Sequence, residues 1–232
     1  MKYLIVNGDD FGASRGINRG ILEAHRVGIL TSTSLMVDML RSEEAVALLR
    51  GAPDLSVGLH ACMDGEAGGP ASLLVTENGC RAELHRQLRR FEELMGRLPT
   101  HVDSHHHVHR DPRLLPRFLE LAARCGCPLR EYSSVRCVLS FYGQWGGETR
   151  REQIGVEGLV RLLQTEVRDG VTELCCHPGY VDVEVRSSYS TEREIELRTL
   201  CDPALRESLE QRGIRLIGFR DLPGLPTGGR MS

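Results

Sequence analysis

Apolar residues recur along this chain in two rhythms, short continuous runs and three- to four-residue spacings, and the two take turns. The run Lys2 to Asn7, with Tyr3, Leu4, Ile5 and Val6 consecutive, predicts a strand buried on both faces. Ile17, Ile21 and Leu22 then mark one face of a helix that starts at the N-cap Ser14 and stops at Gly28. Leu30 to Val37 is rich in Thr, Ser, Leu and Val and predicts a second strand. Ser42 caps a short helix, with Glu43 and Glu44 in the first turn where the helix dipole favours them. Leu55 to His60 reads as a third strand, followed by a glycine-rich loop from Cys62 to Gly79. Leu84, Leu88, Phe91 and Met95 set a helix over Ala82 to Met95.

Thr100 to His109 predicts a further strand, carried by Val102 and Val108. Asp111-Pro112 reads as N-cap and first residue of a helix reaching Arg124. Pro128 to Tyr132 predicts a short strand, Val156 to Arg168 a helix and Val171 to His177 a strand. Helices over Thr191 to Leu200 and Ala204 to Gln211 and a last strand over Arg215 to Phe219 complete the pattern. Ser133 to Gly155 has no period but holds Phe141, Tyr142 and the only tryptophan, Trp145. Those aromatics either stack on sugar faces or anchor a loop to the core. Strand followed by helix, about seven times over, predicts an α/β fold with a mainly parallel sheet. The expected organisation is one domain over residues 1 to 222 and a loose tail over 223 to 232.

Composition narrows the function classes. The 232 residues are 41% hydrophobic and 26% charged, ordinary for a globular protein of one domain. A net charge of −3 gives no electrostatic reason to expect nucleic acid or an anionic membrane as partner. No apolar run is long enough to span a bilayer. Met1 leads straight into an apolar strand, with no secretory signal between them. None of the eight cysteines lies in a CxxC pair, so a cytoplasmic location with reduced thiols is expected. For assembly, a monomer or a homodimer is expected.

The chemistry concentrates in Thr100 to His109, which holds five of the nine histidines and Asp103. In a strand His101, Asp103, His105 and His107 would share one face. Imidazoles and a carboxylate at that spacing suit a metal better than a solvated turn, because burying them unpaired is costly. The first strand ends on Asp9-Asp10, the third on His60 and a later one on His177. One of the adjacent carboxylates reads as a metal ligand and the other as a general base. A barrel gathers four strand ends on one rim, whereas an open sheet spreads them along an edge, so the barrel is favoured. Arg130 either touches an anionic or carbonyl group or pairs with Glu131 or another acid. The inventory suits hydrolysis of an amide or ester by metal-activated water. A phosphate loop is absent from the sequence, and a retaining glycosidase would not need the histidines. A metal-dependent sugar isomerase or phosphoesterase, and a non-catalytic sugar-binding module, are the competing readings.

Val6 to Gly12, Gly28 to Ser34, Gly58-Leu59-His60, His101 to His109 and His177-Pro178-Gly179 closely resemble, in the same order, the YdjC-like carbohydrate deacetylases, among them the chitooligosaccharide deacetylases and hopanoid-associated relatives. The resemblance covers roughly residues 1 to 182. It implies an irregular (β/α) TIM-like barrel, a divalent ion (Mg2+ or Zn2+), and removal of acetyl from an N-acetylated carbohydrate. Carried over by position, the metal ligands fall on Asp10, His60 and His105, the general base on Asp9, and the general acid or its positioner on His177. Asp103, His107 and His109 would orient ligands or line the cleft. The segment between His60 and His101 is shorter than in chitooligosaccharide deacetylases, so the acetylated sugar implied ranges from a chitobiose-like to a lipid-linked or smaller one.

Overall fold

The computed structural model describes residues 1–63, 76–184 and 187–225. Its centre is β1 (Lys2–Phe11), buried along almost its whole length as its apolar run predicts. The chain continues through α1 (Arg15–Arg26), β2 (Ser32–Leu35), α2 (Ser42–Leu48), β3 (Ser56–Ala61), α3 (Glu77–Met95) and β4 (Val102–Ser104). It then forms α4 (Leu115–Cys125), β5 (Arg136–Val138), the short pair β6 (Gln144–Trp145) and β7 (Glu148–Thr149), α5 (Arg151–Ile154) and α6 (Val156–Glu166). The remaining elements are β8 (Gly170–Cys176), α7 (Thr191–Leu200), α8 (Pro203–Gln211) and β9 (Ile214–Leu216). The main sheet runs β4-β3-β2-β1-β8-β5, every pairing parallel. β9 pairs with Lys2 to Leu4 of β1, while β2 takes β1 from Asn7 onward, so these two strands share one edge.

The sheet is curled. β4 and β8 stand four places apart in the strand order, yet Asp103 of β4 and Glu173 of β8 both lie 2.7 Å from the guanidinium of Arg130. Only a sheet bent around that side chain brings them together. Arg130 follows a single parallel bridge, Val102 to Leu129, which extends the sheet past β4. The predicted strand 128–132 is reduced to this bridge. The barrel is therefore irregular, with α-helices outside and a charged centre inside.

Several local expectations change. Ser14 does cap α1, its hydroxyl accepting from the Ile17 amide at 3.1 Å. Asp111 does not cap α4: it closes a turn, accepting from Arg113, and the helix starts at Leu115 with Pro116 in its first turn. Ser42 lies inside α2 and hydrogen-bonds Met36 and Met39. The last strand ends at Leu216, and Phe219–Gly224 is a 3-10 turn. The unreadable stretch 133–155 contains β5, the β6–β7 hairpin and α5. Residues 64–75 of the predicted loop and 226–232 of the predicted tail lie outside the described residues. None of the described helices is long and apolar enough to cross a membrane.

Candidate active site

Parallel pairing aligns the C-terminal ends of β1, β3, β4 and β8, and the singled-out residues stand there. Alternation along β1 would send Asp9 and Asp10 to opposite faces. The β1–β2 register slips between Gly8 and Phe11, inserting one extra residue in β1, and Asp10 takes φ +69°. That bulge turns both carboxylates into the site. The four non-glycine residues with positive φ among those described are Asp10, His106, His107 and Glu131, all in this region.

Asp10 Oδ1 lies 3.3 Å from His60 Nε2 and 3.2 Å from His105 Nδ1. Its other oxygen accepts from Arg193 Nη2 at 2.5 Å. His60 donates from Nδ1 to Asp103 Oδ1 at 2.7 Å, which fixes the ring and aims Nε2 at Asp10. Asp103 is held in turn by the Ser34 hydroxyl at 2.6 Å and by Arg130. Arg130, its side chain fully buried, grips Asp9 through two nitrogens at 2.7 and 2.8 Å and Glu173 at 2.8 Å. Asn7 adds a 2.8 Å bond to Asp9 and another to Ser34. His177 Nε2 stands 4.0 Å from Asp9 Oδ2.

Burial and charge compete at Asp9, Asp10, His60, His177 and Glu173. Burial pushes Asp9 up, but Arg130, with His60 and His177, overrides it and holds the carboxyl below its ordinary range. Burial likewise raises Asp10, and Arg193 with the two histidines brings it well down. Burial disfavours charge on His60, yet Asp103, Asp9 and the bond to Asp10 raise it well above the ordinary 6.5. Burial lowers His177 to about 4, against the pull of Asp9 and Asp10. Glu173 is pushed by burial up to about 7, since Arg130 is shared among three acids.

Among the described residues, four clusters bring together at least three side chains of metal-ligating type. In Asp9–His60–Asp103 both carboxylates are already taken by Arg130. In His107–His109–Glu131 both glutamate oxygens accept from Arg110. In Asp9–Cys175–His177 burial keeps the thiol protonated, and Cys175 donates to Asp9 at 3.3 Å. Asp10–His60–His105 alone combines an oriented imidazole with a carboxylate oxygen facing both rings. Two imidazole nitrogens and one carboxylate oxygen fit zinc, and also a harder ion that completes its shell with oxygen. His105, 27% exposed at its side chain, leaves that side open.

Metal binding here requires His60 to lose the proton its neighbours stabilise. In the metal-free protein that proton contributes stability fully present below pH 6.5 and lost as pH rises through the higher folded value. Metal affinity therefore runs the other way. It is expected to fall by about tenfold per pH unit as pH drops below the raised His60 value. Calorimetry in buffers of different ionisation heat should find close to one proton released near neutrality. A proton-independent heat would contradict this account of the ligand set.

Asp9, Asp10, His60, His105, His177, Asp103 and Arg130 thus come together. The histidine run does not remain a strand: after Ser104 it turns into a 3-10 segment, His105–Arg110, with left-handed His106 and His107. His107 leaves the strand face and is half-buried against the His109 ring, 6.0 Å between centroids. His109 points into the core instead of orienting a ligand, bonded to Ser104 at 2.6 Å and packed on Phe118 and Tyr132. Arg130 pairs with other acids, Asp9, Asp103 and Glu173, and not with Glu131, which belongs to Arg110. His101 is buried, stacked on Phe219 at 3.9 Å, and approaches Gly58 so closely that a Cβ there would sit 2.4 Å from its ring. Arg193, Ser34, Asn7 and Glu173 were not singled out from sequence. Asn7 and Ser34 do lie inside the stretches that carry the family resemblance, Glu173 interrupts an apolar strand, and Arg193 has no local signal.

The YdjC-like protein model matches residues 3–211 of this chain. The chain belongs to the YdjC-like family. A carbohydrate deacetylase from Geobacillus stearothermophilus is 37% identical, over 95% of this chain and 98% of its own length. A chitooligosaccharide deacetylase from Serratia marcescens is 35% identical, over 95% and 99%. A crystal structure from Enterococcus faecalis, provisionally assigned to cellobiose-phosphate cleavage, superposes with TM-score 0.83 at 29% identity, covering 95% of this chain and 98% of that one. This YdjC-like chain therefore shares its irregular barrel with a solved relative along nearly all of both chains.

Proposed function

We propose that this YdjC-like protein is a metal-dependent hydrolase that removes acetyl from an N-acetylated sugar or short oligosaccharide. The observation that carries the reading is the pairing of two carboxylates held differently: Asp10, bound by Arg193 through one oxygen, turns the other to two imidazoles, and Asp9 is clamped through both oxygens by Arg130 beside His177. Family relatives named carbohydrate and chitooligosaccharide deacetylases support it. Asp10, His60 and His105 would hold the ion, zinc or magnesium. Bound there, the ion supplies Lewis acidity and lowers the pKa of a water molecule.

The chain's own residues account for the protons. Asp9 stays ionised through the working range and accepts the proton of the attacking water. Held below its ordinary range by Arg130, it retains that proton weakly. His177, neutral near pH 7 and 4.0 Å from Asp9, is placed to receive it and deliver it to the departing sugar nitrogen. Water oxygen joins the acetyl carbon, the C–N bond breaks, and acetate and the free amine result. Arg130 and Arg193 are both bound to carboxylates, which leaves a phosphate ester without those cations and favours an amide. The catalytic unit is a single domain over residues 1 to 222, acting in the cytoplasm as a monomer or homodimer.

The deciding experiment is acetate release from di-N-acetylchitobiose by metal-loaded protein, with and without chelator. Chelator-sensitive release is expected. Release of phosphate from sugar phosphates, or isomerised sugar with no acetate, would replace this reading.

A further inference from the structure

The β6–β7 hairpin carries an aromatic side chain that the proton chemistry does not use. Trp145 is 50% exposed. Its hairpin closes through Gly146 and Gly147, both at positive φ, the pattern of a tight two-residue turn. The hairpin is fastened without the indole. Phe141 is fully buried, the Gly143 amide donates to the Tyr189 hydroxyl at 2.8 Å, and Gln144 bonds the Ser188 carbonyl at 3.2 Å. Trp145 itself donates from Nε1 to the Tyr142 carbonyl at 3.1 Å, which sets the plane of the ring. A large apolar face held rigid in water, with its polar edge already satisfied, is a poor anchor and a good platform.

The platform is continuous with the active site. Trp145 meets the edge of Tyr142 at 6.0 Å between centroids, and Tyr142 meets His177 at 5.7 Å. Tyr142 also stacks on Tyr189 at 4.4 Å and 6°, and Tyr189 meets His177 at 5.6 Å. An aromatic wall thus runs from the ring beside Asp9 out to an exposed indole, two ring-to-ring steps away. Pyranose rings present flat C–H faces that the negative face of an indole attracts. We propose that Trp145 is the stacking platform for the sugar unit next to the one being deacetylated, so that this protein prefers a disaccharide or longer chain to a monosaccharide. This rests on the deacetylase reading above.

The chain's only tryptophan makes the test direct. Emission of the metal-loaded Asp9→Asn variant is followed while di-N-acetylchitobiose or N-acetylglucosamine is added, and acetate release by wild type, Trp145→Ala and Trp145→Phe is measured in parallel. The disaccharide is expected to shift or quench the emission saturably, and the monosaccharide much less. Trp145→Ala is expected to raise KM for the disaccharide about tenfold, with far less change in kcat and a smaller rise for the monosaccharide. Trp145→Phe is expected to recover most of the loss. Emission that ignores the disaccharide, with KM unmoved in Trp145→Ala while the wild type still releases acetate, would overturn the platform and leave the deacetylase reading standing. A wild type that releases no acetate from either sugar would overturn both.

Discussion

Asp9→Asn is expected to lower kcat for acetate release by about 10²- to 10⁴-fold while the protein still binds one equivalent of divalent ion. His105→Ala is expected to lose both. The contrast follows from what each side chain already touches. Asp9 has its oxygens occupied by Arg130, Asn7 and Cys175, so it is anchored where it stands and ligates nothing further. His105 Nδ1 faces Asp10 and belongs to the cluster without a competing cation on the ligand oxygen. Asparagine keeps one acceptor for Arg130 but presents an amide where the second was, so a thermal melt must accompany the kinetics. Metal content and turnover together separate the roles. Metal lost in Asp9→Asn and kept in Asp10→Asn would exchange the two carboxylates. Full turnover in a folded Asp9→Asn would remove the base altogether.

The distinction between Asp9 and Asp10 shows where sequence reasoning reaches and where it stops. Strand ends are legible because continuous apolar runs end abruptly on polar residues. Asp9-Asp10, His60 and His177 were found that way, and parallel pairing delivers them to one rim. The side each residue faces is not legible, because alternation fails at functional bulges. Asp10 at φ +69° puts neighbours on one side where a regular strand separates them. The histidine run fails for the same reason: left-handed His106 and His107 end the strand, so His105 stays in the site and His109 turns into the core. Buried charge is the other blind spot. Arg193 lies on α7, whose Glu192, Arg193 and Glu196 are all buried, so its polar sequence resembles a solvated face. Glu196 accepts from the His177 amide and from the Tyr189 hydroxyl, and burial pushes its carboxyl up to about 8. Such contacts span distant segments and leave no local pattern.

Arg130→Met is expected to destabilise the fold by about 3–5 kcal/mol, because it strands three buried carboxylates around one lost cation. For a chain of this length that is a fall in Tm of roughly 6–20 °C. The deficit should depend on pH with a definite sign. In the wild type Asp9 and Asp103 are held low against burial, chiefly by Arg130, so their contribution is present above the ordinary 3.8 and lost as pH falls through their folded values. Without Arg130 burial dominates and raises both, so the protonated forms become the stable ones. Their contribution is then fullest below 3.8 and lost as pH rises through the raised values. The gap between wild type and variant should therefore widen from pH 5 to pH 8 in denaturant titrations. Arg130→Lys should recover part of it, since one ammonium reaches a single carboxylate where the guanidinium spans three. A gap that stays constant with pH would mean that Arg130 contributes packing alone. A gap that narrows would mean the carboxylates find other partners, and the charged centre of the barrel would then not depend on this arginine.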